Sequence, residues 1–334
     1  MFIIQYRKFF YALSGILVAL SLFVIFYKGL PLGIEFTGGS LLEVSYPATH
    51  TVGGKTAPQT RPQASAVQQY FTSHVASAER EKIGDLLIQP VGKEGFVVRT
   101  KKIEESDRQV LLQTLSLGGA VDVHQERFNF IGPTIGSELS TKSAYAIGIV
   151  LLAIILFIAY AFRQVSEPVS SWKYGVIAVT VLLHDILIPT GVFAFLGLVA
   201  GFEINILFVT ALLAVLGYSV HDTIIVFDRV RENLRLHTEG KKGHAKYTSE
   251  SFSDVVGDSL RQVITRSINT SLTAILAILV YYFFGGASTQ NFALTLALGI
   301  FVGTYSSICV ATPLLITVQK FQEKKALAEK TKKA

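Results

Sequence analysis

Long apolar runs and short alternating ones divide the chain into two kinds of segment. Six runs, at about 9–27, 143–162, 174–199, 204–227, 267–284 and 292–316, are long enough to cross a hydrocarbon core and are numbered spans 1 to 6. Between spans 1 and 2 the pattern changes to that of a water-facing domain. Leu41–Tyr46 reads as a strand, and Ala64–Ser73, with Val67, Tyr70 and Phe71 at helical spacing, reads as a helix. Leu86–Val91 and Phe96–Thr100 read as a hairpin around Gly92-Lys93-Glu94-Gly95. A second helix over Glu104–Leu115, with Val110, Leu111, Leu112 and Leu115 as its apolar residues, and a last strand over Val121–Phe130 complete the order β-α-β-β-α-β. That order predicts a ferredoxin-like α+β domain inserted into an α-helical membrane protein. His50–Pro62, with Gly53, Gly54, Pro58 and Pro62, reads as a mobile loop.

The expected organisation is an N-terminal segment with span 1 (1–28), the inserted domain (29–142), a bundle of spans 2 to 6 with a loop at 228–266 (143–316), and a basic tail (317–334). Within the loop, Phe252, Val255, Val256, Leu260 and Val263 recur at helical spacing. This predicts an amphipathic helix lying on the membrane surface before span 5, with Thr238–Ser251 either leading into it or serving as a solvated linker.

Charge orients these elements. One side of the spans carries Arg7 and Lys8, then Arg163 and Lys173, then Arg229, Arg231, Arg235, Lys241, Lys242, Lys246 and Arg261, and finally Lys320 through Lys333. The short loops on the other side, Gly201–Glu203 and Gly285–Gln290, carry none. Both termini are therefore expected in the cytoplasm and the inserted domain outside it, with membrane lipids around the spans. Composition agrees, with 50% hydrophobic and 16% charged residues and a mean hydropathy of +0.47. The net charge of +6 then orients spans, and no nucleic-acid motif accompanies it. The first run resembles a signal peptide behind Arg7 and Lys8, but its length predicts a retained helix. One cysteine, Cys309, rules out an intrachain disulfide and a cysteine metal cluster. No nucleophile triad, phosphate loop or metal-ligand cluster is present, so neither an enzyme nor a cofactor is expected.

Polar residues inside the spans carry the candidate chemistry. An ionised carboxylate at the middle of a membrane helix costs on the order of 3 kcal/mol, so it needs water, a partner or a proton. Asp222 lies six residues before Asp228, about 9 Å inside that end of span 4, and Asp185 lies twelve residues after Lys173, about 18 Å into span 3. Span 5 begins with Arg266, followed on one helical face by Asn269, Thr270 and Thr273. One reading is a polar seam, shared with Ser219, in which Arg266 approaches Asp222 and sets its protonation. The other is that Arg266 anchors span 5 at the interface and Asp222 is a satisfied packing group. His184 and His221 adjoin the two acids and, with Asp185, are candidates for a proton path, since histidine as a residue type exchanges protons readily, but neighbours on a helix diverge, so neither is expected to pair with its Asp. Gly299, Gly303 and Ser307 form a small-residue stripe that permits close helix packing.

Three segments carry a family resemblance. They are Gly33-Ile34-Glu35-Phe36-Thr37-Gly38-Gly39, the run Gly217-Tyr218-Ser219-Val220-His221-Asp222-Thr223-Ile224-Ile225-Val226-Phe227-Asp228-Arg229-Val230-Arg231-Glu232-Asn233, and Ser259-Leu260-Arg261-Gln262-Val263-Ile264-Thr265-Arg266-Ser267 leading to Phe284-Gly285-Gly286. They resemble the SecF members of the SecD/SecF family, in the RND superfamily. The resemblance implies pairing with SecD, association with SecYEG and YajC, and use of the proton motive force across a bacterial inner membrane to move a translocating polypeptide. It also implies that Asp222 and Arg266 serve proton transport. The chain departs from the family pattern at His221, where asparagine is common, at Glu35, where aspartate is common, and in its longer loop before span 5. A proton-driven RND-type exporter of small molecules or lipids and a scaffold subunit are the competing readings. The exporter usually joins two six-span halves, where this chain has one.

Overall fold

In a computed structural model, residues 2–52, 55–101, 103, 105–161, 171–239, 249–285 and 287–333 are described. Arg163, Lys241, Lys242 and Lys246, and most of Thr238–Ser251, lie outside them. The chain forms two compact units: residues 1–30, 145–202 and 207–334, and residues 31–144 with 203–206.

The smaller unit is built on a four-stranded antiparallel sheet of β1 (Gly39–Ser45), β4 (Leu87–Val91), β5 (Gly95–Thr100) and β6 (His124–Ile131), in the order β4-β5-β1-β6. Alternation along β1 and β5 sends Leu42, Val44, Phe96 and Val98 to one face, where Leu42 opposes Val98 and Val44 opposes Phe96. Helices Ala64–His74 and Glu105–Leu115 contribute Val67, Phe71, Leu111 and Leu115 to the same core. Buried Tyr46 donates its hydroxyl to the Leu115 carbonyl at 3.0 Å. The ferredoxin-like order is as expected.

The segment read as a mobile loop is different. Thr49–Val52 (β2) pairs antiparallel with Lys55–Pro58 (β3), and the intervening Gly53 and Gly54 lie outside the described residues. A two-glycine link between pairing segments is itself a hairpin signal, which the surrounding prolines obscured. A further helix, Ser77–Ile83, precedes β4. Ahead of β1, Gly38 (φ 75°) and Gly39 (φ 132°) hold left-handed backbone. A Cβ would lie 2.8 Å from the Pro133 Cα at Gly38 and 2.8 Å from the Thr100 carbonyl oxygen at Gly39, so both conformation and space require glycine.

Glu203–Ile206, the end of the loop expected at Gly201–Glu203 and the start of the run expected as span 4, belongs to this unit. Leu32 and Ile204 form a parallel bridge, Gly33 N–H donates to the Ile204 carbonyl at 2.8 Å, and Ile204 N–H donates to the Pro31 carbonyl at 2.7 Å. Glu203 Oε1 sits 2.7 Å from Arg99 Nη1. Burial pushes the Glu203 carboxyl from its ordinary 4.5 up to about 7, with Arg99 opposing and Glu35 adding to the rise. The same burial lowers Arg99. Between about pH 4.5 and about pH 7 the folded unit retains a proton that the unfolded chain has released, so its stability should fall as pH rises through that window. Thermal unfolding of the purified chain in detergent is expected to show a lower midpoint at pH 8 than at pH 5, with Glu203→Gln flattening the slope. An unchanged slope in E203Q would contradict the assignment.

Among the described residues, six helices are long and apolar enough to span a membrane: Arg7–Lys28, Pro133–Ala161, Trp172–Ala200, Ile206–Leu236, Phe252–Phe284 and Thr289–Lys325. The apolar windows of spans 3, 4 and 6 are 56%, 44% and 61% buried, against 11%, 6% and 17% for spans 1, 2 and 5. Spans 3, 4 and 6 therefore make the centre, and the outer three present residues such as Leu152, Phe157 and Leu276 outward.

Two helices run past the spans. The expected surface helix before span 5 is instead continuous with it, as Ser249–Phe284. Its apolar face, Phe252, Val255, Val256, Leu260 and Val263, is buried with Val226, Phe227, Val230 and Leu234 of the helix Ile206–Glu239. No proline breaks the sequence between Ser249 and Phe284, and a protein partner covers the apolar face that would otherwise need lipid. Asn233 Nδ2 donates to Ser259 Oγ at 2.8 Å between the two extensions.

Span 6 is interrupted by a π-helical turn, Ser307–Ala311. Pro313, two residues past the turn, lacks the N–H that the Cys309 carbonyl would use. Thr312 donates both its backbone N–H and its hydroxyl (2.8 Å) to the Ser307 carbonyl, which closes the wider turn.

Candidate functional site

The centre of the larger unit contains two carboxylates with the same kind of coat. Asp222, on span 4, is 2% exposed. Its Oδ2 accepts from Ser267 Oγ at 2.8 Å and lies 3.4 Å from Ser271 Oγ and 3.5 Å from Thr304 Oγ1, so spans 5 and 6 both reach it. Thr304 and Ser271 are themselves 2.6 Å apart. Among the described residues no salt bridge involves Asp222. The carboxylate is held by hydroxyls, which can turn either to donate to it or to accept from its acid form.

Asp185, on span 3, is fully buried. Its Oδ2 accepts from Ser219 of span 4 and from Ser306 of span 6, the latter at 2.9 Å, and its Oδ1 lies 2.9 Å from His184 Nδ1. Span 4 and span 6 thus touch both acids. Their close approach depends on glycine: a Cβ on Gly299 would lie 2.2 Å from Val215, and one on Gly303 would lie 2.9 Å from Ser219 Cβ. Ser307, third in that stripe, meets Thr223 Oγ1 at 2.8 Å.

Several expected placements change. Arg266 is exposed and, among the described residues, makes no hydrogen bond or ion pair with Asp222; Asn269, Thr270 and Thr273 share its outward face. Thr270 and Thr273 satisfy their hydroxyls on the Arg266 and Asn269 carbonyls of their own helix, each at 2.8 Å. The polar face that reaches Asp222 is one residue on, at Ser267 and Ser271, because each residue turns a helix by about 100°. Ser219 serves Asp185, and His221 is exposed without a bond to Asp222 among the described residues. His184 does pair with its neighbour, against expectation. Nδ1 is close to the histidine backbone and the aspartate side chain is short, so two small rotations span the angle between them. The missed donors, Ser267, Ser271, Thr304 and Ser306, had a signal in the i, i+4 spacing of the first pair. Small hydroxyl residues in apolar runs are common enough that spacing alone did not mark them.

Six spans, a ferredoxin-like insertion after the first and two hydroxyl-coated acids at the centre define a multi-pass membrane protein with a polar core. Comparison with known proteins places it further. The family profile "Protein export membrane protein SecD/SecF, C-terminal" matches residues 113–321, and "SecD/SecF GG Motif" matches residues 23–46, which include Gly38 and Gly39. The protein translocase subunit SecF of Thermobaculum terrenum is 37% identical over 94% of this chain and 93% of its own length; that of Anaerolinea thermophila is 34% identical over 93% and 91%. The crystal structure of SecDF, a translocon-associated membrane protein from Thermus thermophilus, aligns with a TM-score of 0.76 at 27% identity over 95% of this chain. SecDF in a super-membrane-facing form aligns with a TM-score of 0.63 at 27% identity over 98%. This chain spans 38% and 40% of those two SecDF chains. The chain belongs to the SecD/SecF family of protein-export membrane proteins, with SecF subunits among its relatives.

Proposed function

We propose that this chain is a Sec-pathway translocation subunit that works with SecD, SecYEG and YajC in the inner membrane of a bacterium, both termini cytoplasmic, and uses the proton motive force to promote export. The observation that carries the reading is Asp222, a buried carboxylate inside an apolar bundle whose neighbours are hydroxyls from two other spans. Such a group can take and release a proton without breaking a fixed ion pair. Each change of charge alters what spans 5 and 6 gain by packing against span 4, and so favours one of two packings. A proton crossing about 100 mV releases roughly 2.3 kcal/mol, enough to tilt such an equilibrium by tens of fold. The inserted domain would follow the packing and hold or pull the emerging polypeptide.

Partnership with SecD is supported by the face of span 5 that Arg266, Asn269, Thr270 and Thr273 present outward. A polar stripe on a membrane helix needs protein or water against it. Arg266 is then a proton-transport residue at the boundary with SecD, one position from the serine that holds Asp222. The test is translocation of a secreted precursor into inverted vesicles that carry this chain with SecD and SecYEG. Completion should slow when a protonophore collapses the gradient, and slow equally when this chain is omitted. Completion that ignores both treatments would overturn the proposal.

A further inference from the structure

Span 3 carries a second ionisable unit that Asp222 does not account for. His184 and Asp185 are both more than nine-tenths buried, near the middle of the span Trp172–Ala200. Among the described residues, three hydrogen-bond contacts reach the Asp185 carboxylate: His184 Nδ1 on one oxygen, and the hydroxyls of Ser219 and Ser306 donating to the other. With a carboxylate opposite Nδ1, the ring hydrogen resides on Nδ1 and the lone pair on Nε2. Among the described residues, that Nε2 is buried with no hydrogen-bond partner. A buried polar nitrogen left alone costs stability, and most are satisfied in folded proteins.

The backbone around the pair is also irregular. Pro189, four residues after Asp185, supplies no N–H to the Asp185 carbonyl, and the π-helical turn of span 6 begins at Ser307, one residue after Ser306. Ser306 has a second partner, the Gly303 carbonyl, at the same 2.9 Å as Asp185, so its hydroxyl hydrogen can turn away from the carboxylate. Facing the pair from the packed helices is the Tyr305 ring, 6.3 Å from the imidazole centroid to centroid and tied through its hydroxyl to Ser14 of span 1 at 3.0 Å. Span 4 presents Ser219 to it and carries Asp222 three residues further on.

We propose that His184 and Asp185 form a second proton-carrying pair, with His184 Nε2 as the atom that accepts and releases the proton and Asp185 as the positioning residue that orients the ring. The inference rests on the proton-driven reading above and extends it from one acid to two, both packed on spans 4 and 6. A proton arriving at the Nε2 lone pair makes an imidazolium beside the Asp185 carboxylate, so the pair gains no isolated charge. Its departure from the same nitrogen restores the starting tautomer, and the hydrogen on Nδ1 stays in place throughout.

The test is gradient-driven proton flux into proteoliposomes holding this chain assembled with SecD, for wild type, His184→Asn, His184→Gln and Asp222→Asn. H184N keeps an N–H for Asp185 near the Nδ1 position and removes the Nε2 site, whereas H184Q places an amide, which does not titrate, near Nε2. Both are expected to lower flux at least tenfold and to change the shape of its pH profile, because the nitrogen that takes up the proton is gone. Wild-type flux and pH profile in either variant, with D222N inactive, would overturn the second site alone. Wild-type flux in D222N would overturn the proton-driven reading beneath it. A loss of the same proportion at every pH in both histidine variants, with the shape of the wild-type profile kept, would mean packing and would also reject the pair as a carrier.

Discussion

Replacing Asp222 with asparagine is expected to abolish proton-dependent export while leaving the chain inserted and folded. Asparagine matches the aspartate in size and keeps a carbonyl oxygen for Ser267, 2.8 Å away in the parent, so the hydroxyl coat has something to bond. What it loses is the ability to be charged in one state and neutral in the other. With no change of charge the two packings of spans 4, 5 and 6 have a fixed ratio, and the gradient no longer shifts it. Ser267→Ala should have a smaller effect, because Ser271 and Thr304 still flank the carboxylate. The measurement is the rate of precursor export in cells whose only copy of this chain carries the change, together with its amount in the membrane. Normal amount with export at the level of cells lacking the chain is the expected outcome.

The largest structural effect is expected from Gly191→Leu. A Cβ at this position of span 3 would lie 2.3 Å from Ser21 Cβ and 2.5 Å from Ser21 Cα on span 1. The Cα is backbone, so no side-chain rotation relieves the clash and the helices must separate. Overpacking of this kind typically costs about 1–3 kcal/mol, and a backbone contact belongs at the upper end. Gly148 on span 2 is the control, since a Cβ there meets nothing within 4 Å. Thermal unfolding in detergent should show a clear loss of stability in G191L and almost none in G148L. Equal midpoints for the two variants would mean that spans 1 and 3 do not pack as described.

Much of this architecture could be read from residue pattern because each signal is local. An apolar run such as Ala194–Val199 is apolar whatever packs on it, and the alternation of Leu42 and Val44 requires a one-sided strand. The two acids stood out because a carboxylate in an apolar run is costly wherever the helix points. Helical phase was harder. Arg266 drew attention to its own face, and the serines that reach Asp222 lie one residue away, where only the positions of spans 4 and 6 decide which face turns inward. Spacing suggested that His184 and Asp185 diverge, and only their rotamers bring them together. The apolar face of Phe252–Val263 was visible, but its partner on the helix Ile206–Glu239 is a tertiary fact, and without it a lipid surface was the natural reading. Glu203 gave no sign of binding into the inserted domain, because Arg99 is over a hundred positions away in sequence.

The central claim is that Asp222 carries protons whose passage drives export. Its most direct test is proton entry into liposomes containing this chain assembled with SecD, recorded with an internal pH dye under an imposed gradient, for wild type beside Asp222→Asn. An inward flux in the wild type that disappears in D222N is the predicted result. A flux of equal size in both, or none in either, would contradict it.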